Sequence, residues 1–260
     1  VLDEYCVSCH SGPDPDGGCD LSGGKTRFFS VSYDNLLGRS RSYRQHDMHS
    51  GRLLDSERAR GVPLVHFYWL LWTPTGVNQP LEAGIKASRL PEYLTYAHCG
   101  REIPKDALER IYLWVDADVP YYATYANSRP QTPGKRDAFA GSWFSRDFME
   151  VYARRCAECH GAFDSHEEGV GRPMPNTSWT GRFAWINLSE PENSPAMVAH
   201  APKPRGRGIP LDDEGKKFVF DSPQDADYQK MLSAIREGKR ALESEPRADM
   251  KGFRFKKREF

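Results

Sequence analysis

Two segments of the chain have the apolar periodicity of amphipathic helices. The first spans residues 104–119 and the second spans residues 225–240. In each segment apolar residues recur at spacings of three and four, which places them on one face of a helix. The apolar positions are Leu108, Ile111, Tyr112 and Val115 in the first segment and Tyr228, Met231, Leu232 and Ile235 in the second. The periodicity predicts a helix in each segment. In the first segment, Pro104 suits the first turn of the helix and Pro120 favours its end.

Shorter helical patterns precede each of these segments. Residues 1–5 and 143–155 predict two helices, the second with Phe148 and Tyr152 on one face. Residues 11–24 and 161–181 are loop-like, because they are rich in Gly, Pro and polar residues. The stretch 27–90 mixes short helical patterns with many polar residues. Each half of the chain therefore has the same plan, in which a short helix, a long irregular insert and a closing helix follow one another.

Composition narrows the classes of partner. The 260 residues include 36 basic and 36 acidic side chains, so the net charge is zero. This balance gives no indication of a nucleic-acid partner or an anionic membrane surface. No apolar stretch reaches the roughly 18 residues that cross a bilayer, so we expect no transmembrane segment in this chain. The mean hydropathy of −0.69 predicts a modest polypeptide core.

The two short helices each run into a Cys-x-x-Cys-His motif. The motif residues are Cys6, Cys9 and His10 in the first half and Cys156, Cys159 and His160 in the second. This pattern is the attachment site of a c-type haem. Two thiols form thioethers with the haem vinyl groups, and the adjoining histidine becomes the proximal ligand of the iron. We therefore predict two covalently bound haem c groups, with His10 and His160 as iron ligands.

Zinc is the main competing interpretation. Two Cys-x-x-Cys pairs are able to form a Cys₄ zinc site. Zinc ribbons separate such pairs by about 15–20 residues. Here the pairs begin 150 residues apart, and each is followed directly by a histidine for which zinc gives no reason. The pattern favours haem.

The repeated plan predicts the fold. We expect a mostly α protein made of two tandem cytochrome c-like domains with long irregular loops. The first domain covers residues 1–125 and the second covers residues 137–260. Residues 126–136 contain Pro, Gly, Ser and charged residues without periodicity, which indicates a linker.

Each haem also needs a distal ligand, typically His or Met. For the first haem His98 is favoured, because it lies on a loop shortly before the predicted closing helix. For the second haem His200 is favoured, with Met250 as the next candidate. The remaining candidates are His46, Met48, His49 and His66 for the first haem and His166, Met174, Met197 and Met231 for the second.

Two cysteines lie outside the motifs. Covalent haem attachment takes place on the oxidising side of a bacterial membrane, so we expect a periplasmic or extracellular protein. In that compartment Cys19 and Cys99 are expected to form a disulfide, with two free thiols as the alternative. The bridge would tie the His98 loop to the first attachment loop. The chain begins at Val1 and not at Met, which indicates a processed form or a piece of a longer protein.

Several segments resemble hydrazine synthase alpha-subunit-like proteins, which are common in planctomycetes. The resemblance rests on residues 5–10, 111–122, 227–235 and 249–253. It implies a pair of haem domains that follow a β-propeller in the family. In the enzyme, a tyrosine four residues after the motif histidine ligates the catalytic iron, and that position is Asp14 here. The resemblance therefore implies the architecture and not hydrazine synthesis.

These patterns predict a dihaem cytochrome that transfers electrons. We expect redox proteins or further copies of the chain as partners, within a larger redox complex or a cytochrome assembly. The alternative is a haem enzyme, hydrazine-synthase-like or peroxidase-like, in which one iron has an open position. A third possibility is a docking role, in which haem mainly completes the core.

Overall fold

The computed structural model describes residues 1–38, 64–65, 81, 83–122, 144–160, 184–212 and 214–254. These residues are 46% helical, and no strand occurs among them, which confirms the prediction of a mostly α protein. The predicted linker at 126–136 and the predicted loop at 161–181 lie outside the described residues. Within the described part of the chain, no helix has the length and apolar character needed to cross a membrane.

The first half contains four short helices and one longer one among its described residues. Their bounds are α1 Leu2–Tyr5, α2 Val31–Gly38, α3 Leu90–Tyr93, α4 Tyr96–Cys99 and α5 Lys105–Asp116. Helix α5 confirms the first predicted amphipathic helix. Pro104 caps its N-terminus, and it buries Ala107, Ile111 and Val115 along one face while Leu113 stays exposed. The apolar stripe therefore fixes the side of α5 that faces the core.

In the second half a π-helical turn at Phe144–Phe148 leads directly into the next helix. The helices are α6 Met149–Arg155, α7 Ala157–His160, α8 Pro195–Val198 and α9 Ala226–Ser244. Helix α9 confirms the second predicted amphipathic helix and extends it by one turn. The Asp225 side chain accepts hydrogen bonds from the backbone N–H groups of Asp227 and Tyr228, which caps α9.

Two hydrophobic clusters fill the described part of the molecule, and each is built from one half of the chain. The first cluster packs α5 against Leu21, Leu36 and Leu90. The second cluster packs α9 against α6 and α8, with Met231 and Ile235 fully buried. In the second half, α6 thus packs in the same cluster as α9; in the first half, Leu2 and Tyr5 of α1 are partly buried against the cluster that contains α5.

The two halves meet through a buried arginine near the C-terminus. The Arg247 side chain is 1% exposed and donates hydrogen bonds to the backbone carbonyls of Thr26, Arg27 and Phe29 at 2.7–2.9 Å. It also pairs with Asp249 at 3.1 Å. A guanidinium can be buried in this way because its N–H groups find acceptors.

Further contacts extend this interface. Asp249 accepts a hydrogen bond from the Tyr121 hydroxyl at 2.6 Å and pairs with Lys25 at 3.1 Å. The backbone N–H of Leu188 donates to the Lys25 carbonyl at 2.6 Å. Gly24 lies against the buried side chain of Asn187, where a Cβ would be 2.7 Å from Oδ1. The second half is thus held against residues 24–29, which follow the first attachment loop.

Candidate haem sites

The first Cys-x-x-Cys-His motif opens onto a cavity of about 1010 Å³. Cys6, Cys9 and His10 line it from one side, and His98 lines it from another. Much of the remaining wall is apolar or aromatic. These residues include Leu2, Leu21, Leu36, Leu64, Leu90, Leu94, Ile111, Tyr93 and Trp114. A space of this size with an apolar wall and a few polar groups is suited to a large, flat, mostly apolar ligand.

Helix α1 positions the first motif. Its C-terminal end passes directly into Cys6, and the backbone N–H of His10 donates to the Cys6 carbonyl at 2.9 Å. The loop that follows folds back on the motif, since the Leu21 N–H donates to the His10 carbonyl at 2.7 Å. Both bonds fix the backbone on either side of the histidine ring.

The His10 ring is held by its Nδ1 atom. Nδ1 lies 3.1 Å from the backbone carbonyl of Cys19, so this nitrogen carries the proton and donates. In the neutral ring the lone pair for a ligand is then on Nε2. Metal-ligating histidines typically donate their other N–H to a carbonyl in this way, which fixes the ring orientation.

His98 faces His10 across the cavity. It lies on α4, which Gly100 ends in a left-handed conformation with φ of 68°. The ring centroids of His10 and His98 are 6.0 Å apart, and their planes differ by 28°. The rings of Tyr93 and His98 are nearly perpendicular, at 75°, and their centroids are 5.3 Å apart. The structure therefore brings together the proximal and distal residues that the sequence proposed.

This spacing fits two imidazoles that share one metal atom. A metal–nitrogen bond to imidazole is about 2 Å, so two rings on opposite sides of one atom have centroids about 6 Å apart. Haem needs only these two protein ligands, since the porphyrin supplies the other four. Among the described residues no group of three or more His, Cys, Asp and Glu side chains is arranged to hold a bare metal ion. The residues that are present fit a c-type haem held by Cys6, Cys9, His10 and His98.

Two arginines also reach the cavity, and motif reasoning did not single out either of them as a site residue. Arg89 donates to the Tyr93 hydroxyl at 2.6 Å, and Arg110 pairs with Asp106 at 2.9 Å. Cations at the rim of an apolar pocket are suited to bind carboxylates such as haem propionates. Arg110 lies one residue before Ile111 on the amphipathic helix. Its position beside the apolar face was the one feature of the sequence from which a role at the cavity could have been inferred.

The two remaining cysteines both line this cavity. Cys19 is buried and Cys99 is partly buried, and no disulfide occurs among the described residues. Burial and the nearby Cys99 thiol raise the pKa of Cys6. The Cys99 thiol donates to the Tyr93 carbonyl at 3.4 Å. The Cys19–Cys99 bridge remains a prediction.

The second motif begins at the end of α6. Cys156 is 8% exposed and belongs to the second hydrophobic cluster. Arg154 and Arg155, directly before it, pair with Asp227 at the start of α9 at 2.5–2.7 Å. Burial and the Cys156 thiol raise the pKa of Tyr152 to about 12. The side chains of Cys159 and His160 lie outside the described residues.

Of the two favoured distal residues of the second haem, Met250 packs against the cluster that contains Cys156, and His200 lies two residues after a member of it. Met197 and Val198 of α8 are members of that cluster, and His200 follows two residues later. The His200 Nδ1 atom donates to the Ile209 carbonyl at 2.9 Å, which repeats the arrangement of His10 and leaves Nε2 for a ligand. Met250 is partly buried against the same cluster.

The other distal candidates divide into two groups. Met197 and Met231 are almost fully buried as core residues of the second cluster. His46, Met48, His49, His66, His166 and Met174 lie outside the described residues.

The chain was compared with protein-family models, curated proteins and solved structures. No protein-family model, curated protein or solved structure matches this chain.

Proposed function

We propose that this chain is a dihaem c-type cytochrome that transfers electrons. The observation that carries the proposal is the pair His10 and His98 in the first cavity, whose ring centroids are 6.0 Å apart, with the motif cysteines lining the same cavity. When bound, each haem supplies a one-electron Fe(III)/Fe(II) couple. The chain itself sets the ligands, the burial and the hydrogen bonds that tune this couple.

The arrangement of each half supports two tandem cytochrome c-like domains. In both halves a short helix ends at the motif, and a longer amphipathic helix belongs to the same cluster as the first motif cysteine. Domain limits of 1–125 and 137–260, with a linker at 126–136, are part of the proposal. So are a periplasmic or extracellular location and redox proteins as partners.

Two ligands on the first iron favour electron transfer over catalysis. An iron with both axial positions filled by protein side chains has no place for a substrate. His10 and His98 both line the cavity, and each is held by a neighbour, the Cys19 carbonyl for His10 and Tyr93 for His98. The first haem is therefore proposed to be a bis-histidine centre.

Intact mass measurement tests haem attachment at each motif. The full chain, matured in a host that attaches c-type haem, is expected to carry the added mass of two haems. A variant with Cys6→Ala and Cys9→Ala is expected to carry one. The matched control replaces Cys19 and Cys99 by Ala and is expected to retain both. A mature chain without haem would overturn the proposal.

A further inference from the structure

We propose that Arg207 is a positioning residue that joins the two haem sites through their axial histidines. The inference rests on the proposed function, because it concerns His10 of the first site and His200 of the second. Arg207 donates from the loop that follows His200 to two backbone carbonyls of the loop that follows His10. It lies outside both Cys-x-x-Cys-His motifs, in a basic stretch at residues 203–207.

The first end of the connection is the attachment loop of the first haem. Arg207 Nε donates to the Pro13 carbonyl at 3.1 Å, and Nη1 lies 3.5 Å from the Gly18 carbonyl. The Gly18 carbonyl belongs to the peptide that leads into Cys19, whose own carbonyl accepts from His10 Nδ1. The guanidinium thus spans the loop that orients the proximal histidine.

The second end is the loop of residues 199–209. The Arg207 N–H donates to the Val198 carbonyl at 2.8 Å, and the Ile209 N–H donates to the Ala199 carbonyl at 3.2 Å. Ile209 then accepts from His200 Nδ1 at 2.9 Å. These bonds fold the loop back on α8, so the backbone of Arg207 and the ring of His200 belong to one hydrogen-bonded unit.

A glycine before Arg207 allows this fold. A Cβ on Gly206 would collide with the Val198 carbonyl and with Ala201. Only glycine lets the backbone approach so closely. The guanidinium therefore projects from a backbone that is fixed on both sides.

Together these bonds form a continuous path between the two imidazoles. It runs from His10 to the Cys19 carbonyl, through the adjoining peptide to Gly18 and Arg207, and on to Ile209 and His200. The carbonyl that accepts from each ring is close along the chain to an Arg207 contact, since Cys19 follows Gly18 directly and Ile209 lies two residues after Arg207. Carbonyls that accept hydrogen bonds from metal-ligating histidines tune ligand basicity and reduction potential. Loss of Arg207 is therefore expected to alter both haems together.

Lys203 provides a matched control from the same loop. Its ammonium group pairs with Asp14 at 2.9 Å, so it touches the same attachment loop, but both side chains are largely exposed. Lys203→Gln removes the same charge without removing a bond to the Pro13 or Gly18 carbonyls. Comparing it with Arg207→Gln separates the hydrogen bonds from the charge.

The experiment uses the full dihaem protein. Midpoint potentials are measured by optical redox titration, and the axial-ligand geometry is measured by electron paramagnetic resonance of the oxidised haems. Arg207→Gln is expected to lower both midpoint potentials more than Lys203→Gln does, because a cation that joins the loops of His10 and His200 is lost together with its bonds. It is also expected to change the resonance signals of both haems. Arg207→Lys keeps the charge but not the planar fork, so the potentials are expected to recover in part and the resonance signals to stay changed.

Two results would overturn the inference. In the first, Arg207→Gln and Lys203→Gln have the same effect. In the second, only one haem responds to Arg207→Gln and to Arg207→Lys. Two attached haems in the unchanged protein with either result would leave the proposed function intact. An unchanged protein without haem would instead overturn the proposed function and this inference with it.

Discussion

At the scale of single residues, the first site depends on two histidines with different sequence signals. His10 belongs to a local motif whose spacing is set by haem chemistry, so the sequence alone predicts it. His98 has no motif and was favoured only by its place before α5. Its position opposite His10 depends on how α4 and the attachment loop pack, which no local pattern contains. Arg89 and Arg110 were missed for the same reason.

Replacement of His98 tests its role as a ligand. In the His98→Ala protein one axial position loses its nitrogen, so about half of the reduced haem absorbance is expected to shift on addition of carbon monoxide. Absorbance spectra of the full protein measure this. Tyr96→Ala on the same helix is the control, since Tyr96 is 69% exposed. A His98→Ala spectrum that does not respond to carbon monoxide would contradict the assignment.

Replacement of Gly24 tests the close contact between its backbone and the Asn187 side chain, which joins the two halves. A Cβ there would lie 2.7 Å from Asn187 Oδ1, which is held by the N–H groups of Ser189 and Glu190 at 3.0 Å. Because Asn187 cannot move without losing these bonds, Gly24→Ala is expected to lower the free energy of unfolding by about 1–3 kcal/mol.

Urea denaturation measures this change. The control is Gly23→Ala, because a Cβ on Gly23 meets nothing within 4 Å. Equal stabilities of the two variants would show that the close approach of Gly24 to Asn187 is not needed.

At the scale of elements, the long periodic segments and the two short helices that run into the motifs were predicted, whereas α2, α3 and α4 were not. Helices α5 and α9 have enough turns for an apolar stripe to stand out, and both were predicted close to their observed bounds. Helix α2 was hidden, because its polar residues Ser32, Asp34 and Asn35 are buried and obscure the pattern. Its helical state depends on tertiary packing more than on an apolar stripe.

Helix α9 is expected to carry much of the stability of the second half. Ile235 is fully buried in the second cluster, so Ile235→Ala is expected to cost about 2–5 kcal/mol in the free energy of unfolding. Arg240→Ala, at an exposed position of the same helix, is expected to change it by about 0.5 kcal/mol or less. Chemical denaturation followed by circular dichroism measures both variants. A cost for Ile235→Ala no larger than that for Arg240→Ala would mean that α9 does not pack as described.

At the scale of the whole molecule, the interface around Arg247 joins residues more than 200 positions apart. Sequence patterns predicted two haem domains but not how they meet, because an arginine that binds carbonyls of a distant loop has no local signature. Asp249 neutralises this buried cation. Burial acts to raise the pKa of Asp249, but the charge of Arg247, the Tyr121 hydroxyl and Lys25 together hold it below its usual value.

This depressed pKa gives the interface a dependence on pH. A carboxyl whose pKa is lower in the folded state stabilises the fold above its unfolded pKa of about 3.9, and the contribution is lost as pH falls through the folded value. The free energy of unfolding is therefore expected to decline below about pH 4. In Asp249→Asn this part of the decline is expected to disappear.

At neutral pH, Asp249→Asn is expected to cost about 3 kcal/mol, because Arg247 stays buried without its counter-charge. Denaturation curves across pH 2 to 7 measure both effects, with the exposed Asp221→Asn as control. If Asp249→Asn and Asp221→Asn have the same stability and the same pH profile, then the ion pair does not hold the halves together.

The most direct measurement for the central claim is the absorbance spectrum of the mature protein, oxidised, reduced, and reduced with carbon monoxide. We predict the sharp reduced bands of two c-type haems and no change with carbon monoxide, because His10 and His98 are proposed to occupy both axial positions of the first iron, and His160 with His200 or Met250 those of the second. A carbon monoxide shift in about half of the signal would contradict two filled haems and favour an enzyme with one open site. A protein without haem absorbance, from a host that attaches haem, would contradict the account as a whole.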